Sequence, residues 1–329
     1  MATPAMEGDR LAPNPSAGKL AAVLIGALRR AWLPLLLFSV SVLTTAGSGA
    51  RFVHDFRFGL RPLASESDFL PLAWIWHHPN ELWSGWSFSL ALLGILLAHE
   101  AGHLIACRKH GIRASWPYVL PAPTLSGTAG AVIRIGSRIP SRRALIEVGV
   151  AGPLAGYLVA VPVCILGLLR SVPVPAGSPP ALLQFHQPWT IVLLDRLLAP
   201  AAAVPSLENL LPHPLLLAGW IGFFITSLNL IPAGQLDGGH ILYAISPRWH
   251  RVATFAVPAL LLGMGLALWT GWLLWGAILL LPVMRHPRVP EFPLLPATHS
   301  WLGWIALALL ALTFVPAPFA GTGLIELLR

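Results

Sequence analysis

The chain has 329 residues, of which 56% are hydrophobic and only 10% charged, and its mean hydropathy is +0.72. A water-soluble domain carries about a quarter charged residues, so lipid is the expected solvent, and fourteen tryptophans against three tyrosines suit the membrane–water boundary. The net charge of +8 does not indicate nucleic acid, because the basic residues sit in short loops beside apolar segments, where they set topology.

A polar leader ends at Arg29-Arg30, and the apolar stretch Ala31 to Ala46 follows. Thr44-Thr45-Ala46-Gly47 resembles a signal-peptide cleavage site, but the long leader and the many later spans favour an uncleaved anchor. Apolar runs predict spans near 31–47, 85–107, 145–169, 214–231, 252–268, 270–284 and 299–317. Several are shorter than the ~20 residues a perpendicular helix needs, and Thr270-Gly271 marks a tight turn or a kink. The expected fold is an all-α polytopic membrane protein of about six to seven transmembrane helices. An N-terminal anchor span and external loop occupy 1–84, a core 85–245 and C-terminal transmembrane helices 246–329. Between the third and fourth spans, Trp189 to Leu198 has an apolar face broken by Asp195 and Arg196 and reads as an interfacial helix. Cys107 and Cys164 read as small buried hydrophobes. With the N-terminus in the cytosol, fifteen of the 21 Lys and Arg fall on the cytosolic side, which supports that orientation. His99 and Asp237 then both lie near the cytosolic ends of their spans, and the host is expected to be a plasma (inner) membrane.

The chemistry begins at His99-Glu100-Ala101-Gly102-His103. On a helix, residues i and i+4 share a face, so two imidazoles can grip one zinc ion while Glu100 meets the metal-bound water. Chance supplies about 0.01 such motifs in a chain of this composition. Ionisable groups inside an apolar span cost at least ~2.5 kcal/mol each at mid-membrane, which a metal or a hydrated cavity would offset. Zinc hydrolases commonly use three protein ligands and leave one position open for water. Asp237 follows the fourth span in Asn229-Leu230-Ile231-Pro232-Ala233-Gly234-Gln235-Leu236-Asp237-Gly238-Gly239-His240. Pro232 and the glycines break the helix there, so the backbone can fold back and present the carboxylate. Glu147 is the alternative ligand, its other role being to pair with Arg142 or Arg143. Glu100 would serve as general base, and the Asn229 amide as a donor to the developing oxyanion or to a helix end.

The segment 124–140, with Val132, Arg134 and Ile135 in partial alternation and glycines at 127, 130 and 136, predicts a small β-hairpin. Its edge could pair with an unwound substrate strand, which cleavage requires because an intact helix hides its peptide carbonyls. Gly127, Gly130 and Val132 are thus candidate substrate-binding residues. Gly152 and Gly156 are spaced for close packing of the third span on the zinc-bearing one. His110, His186 and His213 read as non-ligands, and His240 lies next to the site.

Ala98 to His103, with Asn229 to Pro232 and Leu236 to His240, resembles the site-2 protease family of intramembrane zinc metalloproteases. Gly152-Pro153-Leu154-Ala155-Gly156 resembles that family's glycine-proline motif, and Ser126 to Ile133 its membrane-re-entrant loop; the likeness covers roughly 85–245. It implies one Zn²⁺ on His99, His103 and Asp237, Glu100 as base, and Asn229 and Pro232 positioning substrate. Ala129 stands where the family often has an aromatic residue, and no PDZ or CBS module is evident, so gating by such modules is not expected. The implied substrates are single-span transmembrane proteins already trimmed by another protease, met within membrane lipid and without nucleic acid. Two other readings differ in one feature each. Prenyl-protein or heat-shock membrane zinc peptidases use a glutamate as third ligand, and a non-enzymatic transporter would hold no stoichiometric zinc.

Overall fold

The computed structural model describes residues 15–175, 177–178, 181–198, 210–287, 289, 294–295 and 297–328. The first apolar run lies within a single 43-residue helix, α1 (Pro15–Arg57), which continues past the predicted end at 47. Arg51, which lies beyond that predicted end in the stretch expected to be an external loop, is therefore inside a helix and buried. Its Nε lies 2.6 Å from Asp68 Oδ1 and its Nη2 3.2 Å from Asp55 Oδ1. Both carboxylates are buried as well, and a buried guanidinium is tolerable only with such partners.

After α2 (Pro71–His77) come α3 (Trp86–Lys109) and α4 (Arg142–Leu168), with Ser141 capping α4 by accepting from the Ala144 N–H. Next are α5 (Trp189–Leu198), α6 (Pro214–Asn229), α7 (Asp237–Ile245) and α8 (Pro247–Ala267). The chain closes with α9 (Gly271–Leu280), α10 (Trp301–Thr313) and a short α11 (Leu324–Leu327). Among the described residues, four helices are long and apolar enough to cross a membrane: Ala31–Arg57, Pro79–Lys109 with its leading 3₁₀ turn, Arg142–Leu168 and Pro247–Ala267. The remaining predicted spans correspond to the shorter apolar helices α6, α9 and α10. At 1.5 Å per residue, the 16 residues of α6 rise about 24 Å against a ~30 Å hydrocarbon core. Its apolar character has another cause. Leu216, Leu217, Ala218, Trp220 and Phe223 are all buried, because α6 sits in the middle of the bundle against α3 and α4. Small residues permit that approach. Gly102 faces the Ala151 backbone carbonyl, Gly219 faces Cys164, and Gly222 lies against Ile95. Cys107 and Cys164 are free and buried.

The hairpin exists but is displaced from the expected 124–140. Strand β1 (Tyr118–Pro121) pairs antiparallel with β2 (Thr128–Val132), in the register Tyr118↔Val132 and Val119↔Ala131. The reason is the turn. Gly127 has φ +77°, and the Thr128 hydroxyl donates back to Leu120 O at 2.8 Å, so the reversal falls at 122–127. Hydroxyls of α1 hold the hairpin down: Ser41 donates to Val119 O and Thr44 to Gly127 O, at 3.2 and 2.6 Å. A second small sheet, β3 (Val172–Pro173) with β4 (Leu210–Leu211), had no sequence signal. The chain turns tightly between Ala267 and Gly271, which decides for a turn between α8 and α9 over a kink.

Candidate active site

Helix α3 carries His99, Glu100 and His103 in one buried stretch, with Glu100 only 3% exposed. The rings of His99 and His103 lie against α4 where it has no side chains. A Cβ on Gly152 would run into the His103 imidazole, and one on Gly156 would lie 3.2 Å from His99 Cβ. This is the packing expected of the third span on the zinc-bearing one. The His103 Nδ1–H donates to Val148 O on α4 at 2.8 Å, which leaves Nε2 with its lone pair facing inward.

Asp237 is the first residue of α7, reached through a tight reversal after α6. Gly234 takes φ +60°. A Cβ on Gly238 would strike the Leu230 carbonyl, and one on Gly239 the Gly234 carbonyl, so the fold-back requires these glycines. Gln235 Nε2 anchors the reversal to Val283 O and Arg285 O, at 2.7 and 2.9 Å. The carboxylate thereby meets the imidazoles. Asp237 Oδ2 lies 3.1 Å from His99 Nε2 and 3.3 Å from His103 Nε2, and the two Nε2 atoms are 3.1 Å apart.

These spacings suit a metal. A tetrahedral cation with bonds of ~2.0–2.1 Å places its ligand atoms about 3.3 Å from one another. Two imidazoles and one carboxylate form the donor set of hydrolytic zinc, with one position left for water. Among the described residues, His99, His103 and Asp237 are the one such cluster of three potential ligands. Glu147 is not part of it. Its carboxylate is engaged by Lys109 at 2.5 Å, Arg143 and His110 at 2.9 Å, and His299 at 3.4 Å. His186 bonds to Ala317 O, and His213 caps α6.

The metal donors and Glu100 open on a cavity of ≈ 280 Å³, also lined by Asn229, Val132, Ile133 and His240. The Glu100 carboxylate is within hydrogen-bonding reach of the Ile133 backbone. Gly127 and Gly130 lie off this cavity: Gly127 abuts α1 at Thr44, and Gly130, at φ +104°, has nothing within 4 Å of where a Cβ would be. Pro232 faces a separate apolar groove of ≈ 370 Å³ that Leu230, Ile241 and Trp304 help to line. His240 has an orientation that the sequence did not reveal. His286 donates through Nδ1 to Pro287 O at 2.6 Å, so its Nε2 accepts from His240 Nδ1–H at 2.7 Å. That leaves a lone pair on His240 Nε2. The motif flagged His240, but its partner lies 46 residues further along the chain.

An apolar helical bundle that joins a His-Glu-x-x-His face to an aspartate from a broken helix end defines the class of membrane metallopeptidases. The chain belongs to peptidase family M50, whose sequence profile matches residues 87–270. Among curated proteins it is similar to the probable zinc metalloprotease EGY1, chloroplastic, of Arabidopsis thaliana, with 32% identity over 68% of this chain and 42% of that protein. The probable zinc metalloprotease EGY2, chloroplastic, of the same plant is 30% identical over 70% of this chain and 41% of its own length. The chain thus spans about two-fifths of the length of these relatives. No solved structure matches it.

Proposed function

We propose that the chain is an intramembrane zinc endopeptidase that hydrolyses peptide bonds in the transmembrane segments of single-span membrane proteins, as in regulated intramembrane proteolysis. One observation carries this reading: His99, His103 and Asp237 converge beside Glu100 in a cavity that strand β2 also lines. The family membership and the names of the relatives support it.

A zinc ion held by His99 Nε2, His103 Nε2 and an Asp237 carboxylate oxygen supplies Lewis acidity, both for activating water near neutral pH and for polarising the scissile carbonyl. Glu100, beside the donors, accepts the proton as water attacks and then delivers it to the leaving amine. Asn229, which also lines the cavity, donates its amide to the oxyanion. The substrate helix unwinds locally and pairs with the edge of β2 over Ala131 to Ile133, which presents a carbonyl to Glu100. Pro232, Gly127 and Gly130 act at the margins, the glycines by shaping the hairpin. In this reading the hairpin is re-entrant and α6, α9 and α10 complete six to seven spans. The N-terminus and active site face the cytosol of a plasma (inner) membrane, an orientation supported by the distribution of Lys and Arg.

The test is cleavage of a model single-span substrate co-reconstituted in liposomes. Glu100→Gln should lower turnover by at least ~10²-fold with zinc still bound at one ion per chain, and this variant should trap substrate for identification. Wild-type turnover in Glu100→Gln, or a wild-type protein without zinc, would overturn the proposal.

A further inference from the structure

A second groove, of ≈ 530 Å³, lies between α3, α4 and the start of α10, on the face of α3 next to the one that carries the histidines. Its floor is apolar: Ile105, Val150, Leu154, Leu158, Trp301 and Leu302. Ile105 and Leu158 are 67% and 62% exposed, which suits contact with hydrocarbon and not with water. Along α4 it runs from Arg143 to Leu158, fifteen residues or about 22 Å. That length equals one leaflet, since half the ~30 Å hydrocarbon core plus one headgroup layer is ~20–22 Å.

Only one end is polar. Lys109 and Arg143 stand there with side chains 59% and 51% exposed, flanking the mostly buried Glu147, and His299 closes the rim. Lys109 gives Glu147 one contact and Arg143 gives it Nε. An ammonium has three donors and a guanidinium five, so both cations have N–H groups beyond those for a further anion. Two cations against one carboxylate leave a net positive charge at this mouth. The rest of segment 108–143 adds to it, with five further Arg and no Asp or Glu.

We propose that this groove is a binding site for one anionic phospholipid, its phosphate on Lys109 and Arg143 and one acyl chain lying along α4 to Leu158. A zwitterionic choline lipid offers the same phosphate but brings its own cation to a positive rim, so it binds less well. The inference uses the reading of α3 and α4 as membrane spans and is independent of the proteolytic one.

The experiment titrates the purified full-length chain, delipidated in a neutral detergent, with dioleoyl phosphatidylglycerol and dioleoyl phosphatidylcholine, and counts bound lipid by native mass spectrometry. One phosphatidylglycerol per chain should bind about fivefold more tightly than phosphatidylcholine, the factor expected for one net cation at a lipid surface. Lys109→Gln with Arg143→Gln, which leaves the Glu147 carboxylate without its two cations, should abolish the preference for phosphatidylglycerol or reverse it. Ile105→Trp, at an exposed position on the groove floor, should weaken both and leave their ratio unchanged. Glycerol phosphate, which has the headgroup without the chains, should fail to compete. Equal retention of both lipids by the wild type would overturn the proposal, as would an unchanged preference in the folded double variant. Two further results would also overturn it: Ile105→Trp without effect, or glycerol phosphate competing as well as the lipid, which would indicate a bare phosphate site.

Discussion

Replacing Gly152 by Ala adds one methyl group where α4 crosses the His103 ring. Built on the existing backbone, the new Cβ would lie 2.5 Å from His103 Cδ2, whereas non-bonded carbons rest ~3.5–4.0 Å apart. The donor atom Nε2 would lie nearer still, so the ring or the helix must retreat by at least about 1 Å. The helix has little room, because α4 is held against α3 where the Ala151 carbonyl faces Gly102. The ring is held too, by its bond to Val148 O. A metal bond tolerates only ~0.2 Å, so the displacement exceeds what ligation can absorb by about fivefold. In a helix interior the same change gains ~0.5–1 kcal/mol, which offsets part of the ~1–3 kcal/mol that such overpacking costs, so the thermal midpoint of the variant is measured alongside. The expected result is a 10–100-fold loss of zinc affinity and a ~10²-fold loss of turnover. Zinc retained after dialysis against a metal buffer measures the first, and cleavage in liposomes the second. Gly94→Ala, on α3 with nothing within 4 Å of its built Cβ, is the control and should leave both unchanged. Wild-type zinc affinity in Gly152→Ala would refute the reasoning, as would an equal loss in Gly94→Ala.

Asp237→Ala should remove bound zinc, whereas Glu147→Ala should leave it in place, since its carboxylate serves Lys109, Arg143, His110 and His299; metal analysis of the two purified variants separates the roles. Arg51→Met leaves Asp55 and Asp68 buried without their cation and should cost about 3–5 kcal/mol, read as a lower thermal midpoint in detergent. Burial first, and His240 after it, hold His286 at about 3, below its ordinary 6.5. A depressed folded value means that its share of stability is whole above pH 6.5 and declines as pH falls toward 3. His286→Phe, which keeps a ring for the stack on Tyr243, should therefore flatten the fall in thermal midpoint between pH 6.5 and 4; an unchanged slope would remove His286 from that limb.

The parts of the site that sequence exposed are those encoded within a turn or two of chain. His99 and His103 share a face because of helical periodicity alone, and Pro232 with the glycines before and after Asp237 marks the fold-back because those residues restrict or free the backbone locally. Apolar runs marked the helices for the same reason, although they could not separate a helix facing lipid from α6, which is apolar because other helices surround it. The hairpin was visible as a glycine-rich reversal, but its register depended on the turn closing at Gly127, ahead of Gly130, and on two hydroxyls of α1. Helix α1 runs past its apolar stretch with Arg51 paired both to Asp55, one turn on, and to Asp68 outside the helix.

Sequence by itself thus determined the solvent, the two imidazoles with their neighbouring glutamate, and a break from which an aspartate could reach them. Only the tertiary structure decided that Asp237 and not Glu147 completes the triad, that Val148 O orients His103, that His286 orients His240, and that Pro232 faces a different groove from Asn229. The physical reason is that helical spacing and backbone freedom act over a few residues. The facing of one helix to another, the choice of partner for a charge and the carbonyl that meets a ring are settled by packing across the whole bundle, between residues that no local pattern connects.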